Sequence, residues 1–254
     1  MSKMYLKNLL ILLIILSVSL LFADQAADNF SKANALYSNG DFKKAIELYE
    51  DILKEGKGSG ELYYNLGNAY YKTGNIGKAR LNYERALFFM EGDEALNQNL
   101  QLLKLKLVDQ IEEPPRLFIS VWWENIINFI NLKTLSHIVL GLFILTLLFL
   151  ALFMHYRKRG RIRMKSVFIL TLFIWLFSVI IWLNKIYLFE TENYGVILSS
   201  TVTVYAEPSQ ETTELFVIHE GTKVQVQRSS HQWYEIRLAD GKTGWLLQDN
   251  LEII

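Results

Sequence analysis

Two long apolar runs decide the fold of this chain: residues 134–156 read TLSHIVLGLFILTLLFLALFMHY, and residues 166–184 read SVFILTLFIWLFSVIIWLN. Neither run contains a formally charged residue. Because about 20 apolar residues in a helix cross the hydrocarbon core of a bilayer, each run is long enough to span it. Lipid offers no partners to backbone polar groups, so both spans must be helical. We therefore predict transmembrane helices over residues 134–156 and 166–186, with a buried hairpin in a soluble core as the alternative.

The connector between the two runs, residues 157–165, is short and strongly basic. It reads RKRGRIRMK, with six cations and no carboxylate. Short loops rich in Lys and Arg remain on the cytoplasmic side of a membrane. A cytoplasmic loop would send the segments before and after the hairpin to the opposite, extracytoplasmic face. The six cations also argue against the soluble-core alternative, since buried charges need partners.

The amino terminus independently predicts the same topology. Lys3 and Lys7 precede a charge-free run that ends in the small residue Ala23. A short basic region, a leucine-rich core and a small terminal residue are typical of a secretory signal. Residues 1–23 are predicted to form a cleaved signal peptide or an uncleaved anchor. Both alternatives place the residues from Asp24 onward outside the cytoplasm.

Composition and charge argue against several classes of function. Residues 24–115 carry a net charge of −4 and residues 190–254 a net charge of −6, so neither outer segment resembles a nucleic-acid-binding domain. The chain has no cysteine, which excludes disulfides, thiolate catalysis and cysteine-ligated metals. It also lacks a phosphate loop, a nucleophile elbow and a zinc motif. We therefore expect a protein that is not an enzyme and has no cofactor or metal site.

A sequence repeat runs through residues 26–110. Similar residues recur at one fixed spacing: Ala33 and Gly67, Leu36 and Tyr70, Gly40 and Gly74, Ala45 and Ala79, and Tyr49 and Tyr83. A fixed period of this kind, between roughly 20 and roughly 50 residues, indicates stacked helical units. Glycine at positions 40 and 74 suits the end of the first helix of each unit. Because the last unit needs a cap, residues 94–109 are expected to form a further helix that continues until Pro114.

The second unit resembles the tetratricopeptide repeat through its pattern of Tyr63, Leu66-Gly67, Tyr70, Ala79, Tyr83 and Ala86. The first unit departs from the pattern, since Asn29 and Lys32 replace its opening aromatic residue and its leucine. The resemblance implies a shallow groove that binds extended or helical peptides. The matching groove positions are Phe30, Asn34, Tyr37, Tyr64, Asn68 and Tyr71.

The resemblance further implies that Asn34 and Asn68 hydrogen-bond the backbone of a bound peptide. An amide side chain offers both the donor and the acceptor that a peptide bond can use. The alternative is that the tyrosines only pack and the asparagines are solvated. Capture of a terminal carboxylate is not expected, because Phe30 stands where some members of the family carry a lysine.

Residues 116–133, just before the first span, form an apolar segment that includes Trp122 and Trp123. Paired tryptophans beside a spanning helix favour an amphipathic helix that lies in the headgroup region. The alternative is a buried helix that packs on the repeats.

Residues 194–254 change to a period of two, which predicts short strands, and Asp240-Gly241 signals a hairpin turn. The order of motifs resembles the bacterial SH3-like barrel: Val202–Tyr205, Pro208, Glu220-Gly221, Trp233–Arg237 and Gly244-Trp245. Tyr205-Ala206 stands where this family usually carries an arginine. Trp233 and Trp245 are interpreted as core, with a ligand-binding face as the alternative. His219 and His231 are expected at the surface.

The predicted fold is therefore a multidomain membrane protein with an all-α tetratricopeptide-repeat segment, two transmembrane helices and a small all-β SH3-like barrel. This order resembles the E-type (BatE-like) members of the Bat aerotolerance proteins of Gram-negative bacteria. The resemblance implies an inner-membrane scaffold with periplasmic domains, whose partners are von Willebrand A-domain membrane proteins and a MoxR-type ATPase. The implied role is envelope integrity or oxidative-stress tolerance. The alternative is a barrel that binds peptidoglycan or its stem peptides.

Overall fold

The computed structural model describes residues 25–112, 114–115, 117–155, 159–191 and 193–254. The predicted signal segment, residues 1–23, lies outside the described residues. Two compact units divide the chain. We call the first the repeat–barrel unit, which extends to Glu112 and resumes at Tyr194–Ile254, and the second the hairpin unit, Glu113–Asn193.

Five helices build the repeats: α1 (residues 25–38), α2 (Phe42–Lys54), α3 (Gly60–Thr73), α4 (Ile76–Phe89) and α5 (Glu94–Lys104). Gly40 and Gly74, which follow α1 and α3, each have a φ of +83°. Glycine adopts this left-handed conformation without a steric penalty, which is why the first helix of each repeat ends there. The side chains of Ser59, Asn75 and Asp93 accept hydrogen bonds from backbone N–H groups at the starts of α3, α4 and α5.

The core of the repeats depends on small residues at the helix contacts. Ala33, Ala45 and Ala79 are fully buried. Gly67 packs so closely on α4 that a Cβ atom there would lie 2.6 Å from the ring of Tyr83. Large apolar side chains complete this core, among them Tyr49, Leu62, Leu66, Leu96 and Leu103.

The capping helix α5 is shorter than predicted. It ends at Lys104, whereas the sequence predicted a helix up to residue 109. The Gln110 side-chain amide donates to the carbonyl oxygens of Lys104 at 3.1 Å and Leu107 at 2.9 Å. These bonds satisfy carbonyl groups that a longer helix would otherwise have used. We call residues 105–112 the connecting segment.

The carboxyl-terminal domain has seven strands: β1 (Tyr194–Ile197), β2 (Thr201–Tyr205), β3 (Glu214–His219), β4 (Lys223–Ser230), β5 (Trp233–Arg237), β6 (Thr243–Leu247) and β7 (Leu251–Ile253). They form one antiparallel sheet in the order β3-β2-β6-β5-β4-β1-β7. Register shifts in the β2–β3 and β4–β5 pairs mark irregularities of the kind that bend a sheet. Alternate residues such as Val204, Ile236 and Leu246 point into the domain core.

The hairpin unit contains α6 (Phe118–Asn128), α7 (Leu132–His155) and α8 (Arg159–Thr191). Helix α7 and the part of α8 over Arg163–Tyr187 are long and apolar enough to cross a membrane. The two helices pack on each other, with the rings of Phe143 and Trp175 5.4 Å apart. Together with the repeats and the antiparallel sheet, they confirm the predicted fold class.

Two predicted segments of the hairpin unit differ in their bounds. Residues 159–165 of the predicted loop belong to α8, since the straight side chains of Arg, Lys and Met favour helix and the loop contains no proline. Residues 156–158 lie outside the described residues. The predicted interfacial segment, residues 116–133, contains α6, which exposes large apolar side chains and packs on α8. Its position at a membrane surface stays a prediction.

Candidate functional sites in the repeats and the barrel

The predicted groove residues occupy equivalent positions on α1 and α3. Four of them are aromatic, and they are partly buried where they pack against the repeat core: Phe30, Tyr37, Tyr64 and Tyr71. Lys106 of the connecting segment places its Nζ atom 4.2 Å from the centre of the Tyr71 ring, a cation–π contact. The aromatic residues therefore contribute to the core and also border an accessible surface.

Asn34 lies in a hydrogen-bond network that joins three helices. Its Oδ1 atom accepts from the hydroxyl of Tyr49 on α2 at 2.6 Å and from Nδ2 of Asn65 on α3 at 3.0 Å. Burial raises the pKa of Tyr49 to about 12, so its hydroxyl is a stable donor at neutral pH. The network ties the first repeat to the start of the second.

The same network recurs one repeat period later in the chain. Oδ1 of Asn68 accepts from the hydroxyl of Tyr83 at 2.7 Å and from Nδ2 of Asn99 on α5 at 2.8 Å. Burial likewise raises the pKa of Tyr83 above its ordinary value. The repeat period in the sequence thus corresponds to a repeated contact between successive helices.

These networks change what the two asparagines can offer a partner. An amide oxygen has two lone pairs, and both are used within the repeats at Asn34 and Asn68. Each asparagine could therefore donate through Nδ2 but could not accept. The two asparagines are thus not merely solvated, and their binding to a peptide backbone stays a prediction.

A pocket of about 210 Å³ opens beside the first network. It is lined by Asn34, Tyr37, Ser38, Tyr49 and Asn65. Its wall combines tyrosine rings with amide groups, so it can accept a side chain that has both apolar and hydrogen-bonding parts.

Helix α5 and the first residue of the connecting segment extend the row of groove positions, which sequence reasoning missed. Leu102 follows Asn68 by one repeat period, and Leu105 follows Tyr71 by the same period. Leu102 is 53% exposed and Leu105 is 79% exposed, although both were predicted to lie within a capping helix. Adding the repeat period once more to the groove positions would have found them. The row therefore passes over three helices and ends in exposed leucines.

The barrel packs on the amino-terminal end of α4. Oε1 of Glu220, at the start of the β3–β4 turn, accepts from the backbone N–H of Gly77 at 2.7 Å. A carboxylate at a helix amino terminus is favoured by the helix dipole. The approach is close, since a Cβ atom at Gly77 would lie 2.8 Å from Cγ of Glu220 and 2.9 Å from the carbonyl oxygen of Ile197.

A charged cluster continues this contact along α4. Glu84 is buried between two cations: Nζ of Lys223 in β4 lies 2.8 Å from its carboxylate, and Nε of Arg80 lies 3.4 Å from it. The guanidinium group of Arg80 also donates to the carbonyl oxygen of Gly221 at 2.8 Å. Loss of either cation would leave the buried carboxylate of Glu84 with an uncompensated charge. The barrel is therefore bound to α4 at a specific position.

The connecting segment is bound to the barrel through Asp109. Its carboxylate accepts from the backbone N–H of His219 at 2.6 Å, from Nδ1 of His219 at 2.8 Å and from the hydroxyl of Thr222 at 2.6 Å. Burial opposes the ionisation of Asp109, but the bonds from Thr222 and His219 outweigh it and lower its pKa. His219 therefore contacts the connecting segment, while 32% of its side chain stays exposed at the surface. The repeats and the barrel form one compact unit.

The two barrel tryptophans lie on the outer face of the sheet. Trp233 and Trp245 are partly buried, and the barrel core is built from other residues, so the structure does not place these tryptophans in the core as interpreted. Tyr205 pairs with Trp245 across β2 and β6, and its ring meets that of Trp233 edge-on at 5.8 Å. We call Tyr205, Trp233 and Trp245 the outer aromatic cluster. A role in ligand binding stays a prediction.

Comparison with known families supports the assignment of the repeats and of the barrel. Residues 30–98 match the family model described as tetratricopeptide repeat, and residues 200–252 match the model described as bacterial SH3 domain. No curated protein matches the chain. The chain therefore joins tetratricopeptide repeats and a bacterial SH3 domain, with two candidate membrane-spanning helices between them.

Proposed function

We propose that this protein is a membrane-anchored scaffold that binds a protein partner through its repeats and acts without catalysis or a cofactor. The row of groove positions on α1, α3, α5 and the start of the connecting segment is the observation that supports this proposal most directly. It begins with aromatic residues and amide groups and ends in the exposed side chains of Leu102 and Leu105. Exposed apolar groups at regular spacing are typical of surfaces that bind protein segments.

The scaffold would hold both soluble domains on one side of the membrane. Asp109, before the hairpin, is hydrogen-bonded to His219, after it. If α7 and α8 both cross the bilayer, these contacts require the chain to return to the side from which it entered. The basic residues of the predicted loop favour a cytoplasmic turn. We therefore propose an inner-membrane protein with periplasmic repeats and a periplasmic barrel.

Among partner classes, we propose extracytoplasmic domains of von Willebrand A-domain membrane proteins, in a Bat/MoxR system that supports envelope integrity or oxidative-stress tolerance. This proposal comes from the resemblance of the whole domain order to the BatE-like proteins. Because the repeat segment carries a net negative charge, we expect a complementary partner surface to be basic.

Crosslinking in intact membranes, followed by purification of the full-length chain, tests the groove. Leu102→Asp combined with Leu105→Asp should abolish partner recovery, because two carboxylates would be desolvated in the contact. The matched control is Leu215→Asp, which changes an exposed leucine of the barrel. Equal recovery from the groove variant and the wild-type protein would exclude the groove as the binding surface. Recovery of a protein without a von Willebrand A domain would support the groove as a binding surface but exclude the proposed class of partner.

Cell-wall binding by the barrel is a second candidate function, favoured by the outer aromatic cluster. Partly exposed aromatic rings on a sheet can stack on sugar rings or pack on short peptides. The full-length protein in detergent should sediment with purified sacculi, and Trp245→Ala should release it. Trp122→Ala, which removes an exposed tryptophan of the hairpin unit, is the control. Sedimentation that is unaffected by Trp245→Ala would exclude this face.

A further inference from the structure

An apolar pocket of about 370 Å³ lies in the hairpin unit. Its lining comes from all three helices and consists of Trp122, Ile126, Ile127, Phe129, Ile130, Leu135 and Ile181. Pockets of this size hold small organic ligands in other proteins. Every lining side chain is apolar or aromatic, so the pocket suits a ligand that needs few hydrogen bonds.

The pocket lies at the end of the hairpin that is remote from the predicted basic loop. Leu135 belongs to the first turns of α7, and Ile181 belongs to the later part of α8. At this end, Nζ of Lys185 donates to the carbonyl oxygens of Ile127 at 3.2 Å and Ile130 at 2.9 Å. These bonds hold the end of α6 against α8 and fix one wall of the pocket.

The residues around the pocket match the two parts of a phospholipid. Its lining suits an acyl chain, which carries no hydrogen-bonding groups along its length. Lys133 is exposed at the amino-terminal end of α7, two residues before the lining residue Leu135, and would supply a cation for a phosphate group. Trp122 is 61% exposed at the rim, and tryptophan is enriched at the level of the headgroups.

We propose that this pocket binds one acyl chain of a membrane phospholipid, whose headgroup phosphate lies near Lys133. The proposal rests on the proposed membrane crossing by α7 and α8, since only then does lipid surround the pocket. The lipid would fill the space between α6 and the two spans. It would thereby stabilise α6 against the hairpin.

Native mass spectrometry of the full-length protein in mild detergent, extracted from membranes that contain phosphatidylethanolamine and phosphatidylglycerol, tests the proposal. The wild-type protein should retain one phospholipid per chain. Ile181→Trp and, independently, Ile126→Trp fill the pocket and should lower the lipid-bound fraction at least about tenfold. The matched control is Ile180→Trp, because Ile180 neighbours Ile181 but is 56% exposed and does not line the pocket.

Equal lipid retention by the filled variants and the wild-type protein would overturn the proposal, and so would equal loss in the Ile180→Trp control. A dimer mass that is lost in Ile181→Trp, with no bound lipid in the wild-type protein, would assign the pocket to a second copy and would also overturn it. Alkaline extraction of the membranes distinguishes failure of the proposed membrane crossing from failure of the lipid site. A chain released by alkali would contradict the proposed membrane crossing, whereas a retained chain without lipid would contradict the lipid site alone.

Discussion

At Gly67 the two helices of the second repeat approach each other so closely that a methyl group has no space. A Cβ atom would lie 2.6 Å from Cδ1 of Tyr83, a side chain that is fixed by its bond to Asn68. Gly67→Ala should therefore destabilise the repeats by about 1–3 kcal/mol, as overpacked cores do. The expected result is a lower midpoint of thermal unfolding for the full-length protein in detergent.

Gly141→Ala is the control for this substitution, because a Cβ atom at Gly141 meets nothing within 4 Å. Alanine favours helix over glycine by about 1 kcal/mol, so this variant should unfold at the same or a higher temperature. A Gly67→Ala protein that is as stable as the wild-type protein would show that α3 and α4 are less closely packed than described.

The contact between the connecting segment and the barrel is expected to be acid-sensitive, because it depends on the carboxylate of Asp109. Its pKa is lowered in the folded protein, so its contribution to the free energy of unfolding is fully present above the unfolded pKa of about 3.9. The contribution is lost as the pH falls through the lower pKa of the folded state. Asp109→Asn should lower the unfolding midpoint at neutral pH, and the difference from the wild-type protein should shrink between about pH 5 and about pH 3. A pH-independent difference would contradict this role of the carboxylate.

At the scale of the elements, the contact between α4 and the barrel depends on Gly77. A Cβ atom there would clash with Glu220 and with the backbone of Ile197, and backbone cannot move aside as a side chain can. We expect Gly77→Ala to separate the barrel from α4 while both domains remain folded. Hydrogen exchange of the amides at the start of α4 should become faster than in the wild-type protein.

Limited proteolysis of the same variant should cut the connecting segment, residues 105–112, which the barrel otherwise protects. Lys72→Ala, an exposed substitution near the end of α3, is the control. Unchanged exchange and unchanged cleavage in Gly77→Ala would show that the barrel does not rest on α4.

The elements that could be predicted from the sequence are those with a periodic pattern. The repeat period predicted the glycine-terminated helices, and alternating residues predicted the strands of the barrel. The end of α5 could not be predicted, because Asp109 takes its partners far along the chain, at His219 and Thr222. The period also marked Asn34 and Asn68 as equivalent, but it did not show that tyrosine hydroxyl groups occupy their oxygens. Residue types indicate what can bond, whereas packing decides which bonds form.

At the scale of the whole molecule, two domains that are separated by a predicted hairpin meet in one compact unit. Each of the contacts described at Gly77, Glu84 and Asp109 joins residues that lie on opposite sides of the hairpin in sequence. The two domains must therefore share one side of any membrane that α7 and α8 cross. A scaffold of this kind would present its groove and its outer aromatic cluster in the same compartment.

Cysteine labelling tests this claim most directly, because the natural chain contains no cysteine that could react in the background. Single substitutions are placed in the repeats (Lys72→Cys), in the barrel (Gln210→Cys) and in the basic segment at the start of α8 (Arg161→Cys). Each variant is expressed in bacteria that are converted to spheroplasts. A membrane-impermeant maleimide should label Lys72→Cys and Gln210→Cys in intact spheroplasts, and it should label Arg161→Cys only after lysis. Labelling of the first two positions from opposite sides of the membrane would contradict a single repeat–barrel unit joined by two crossings.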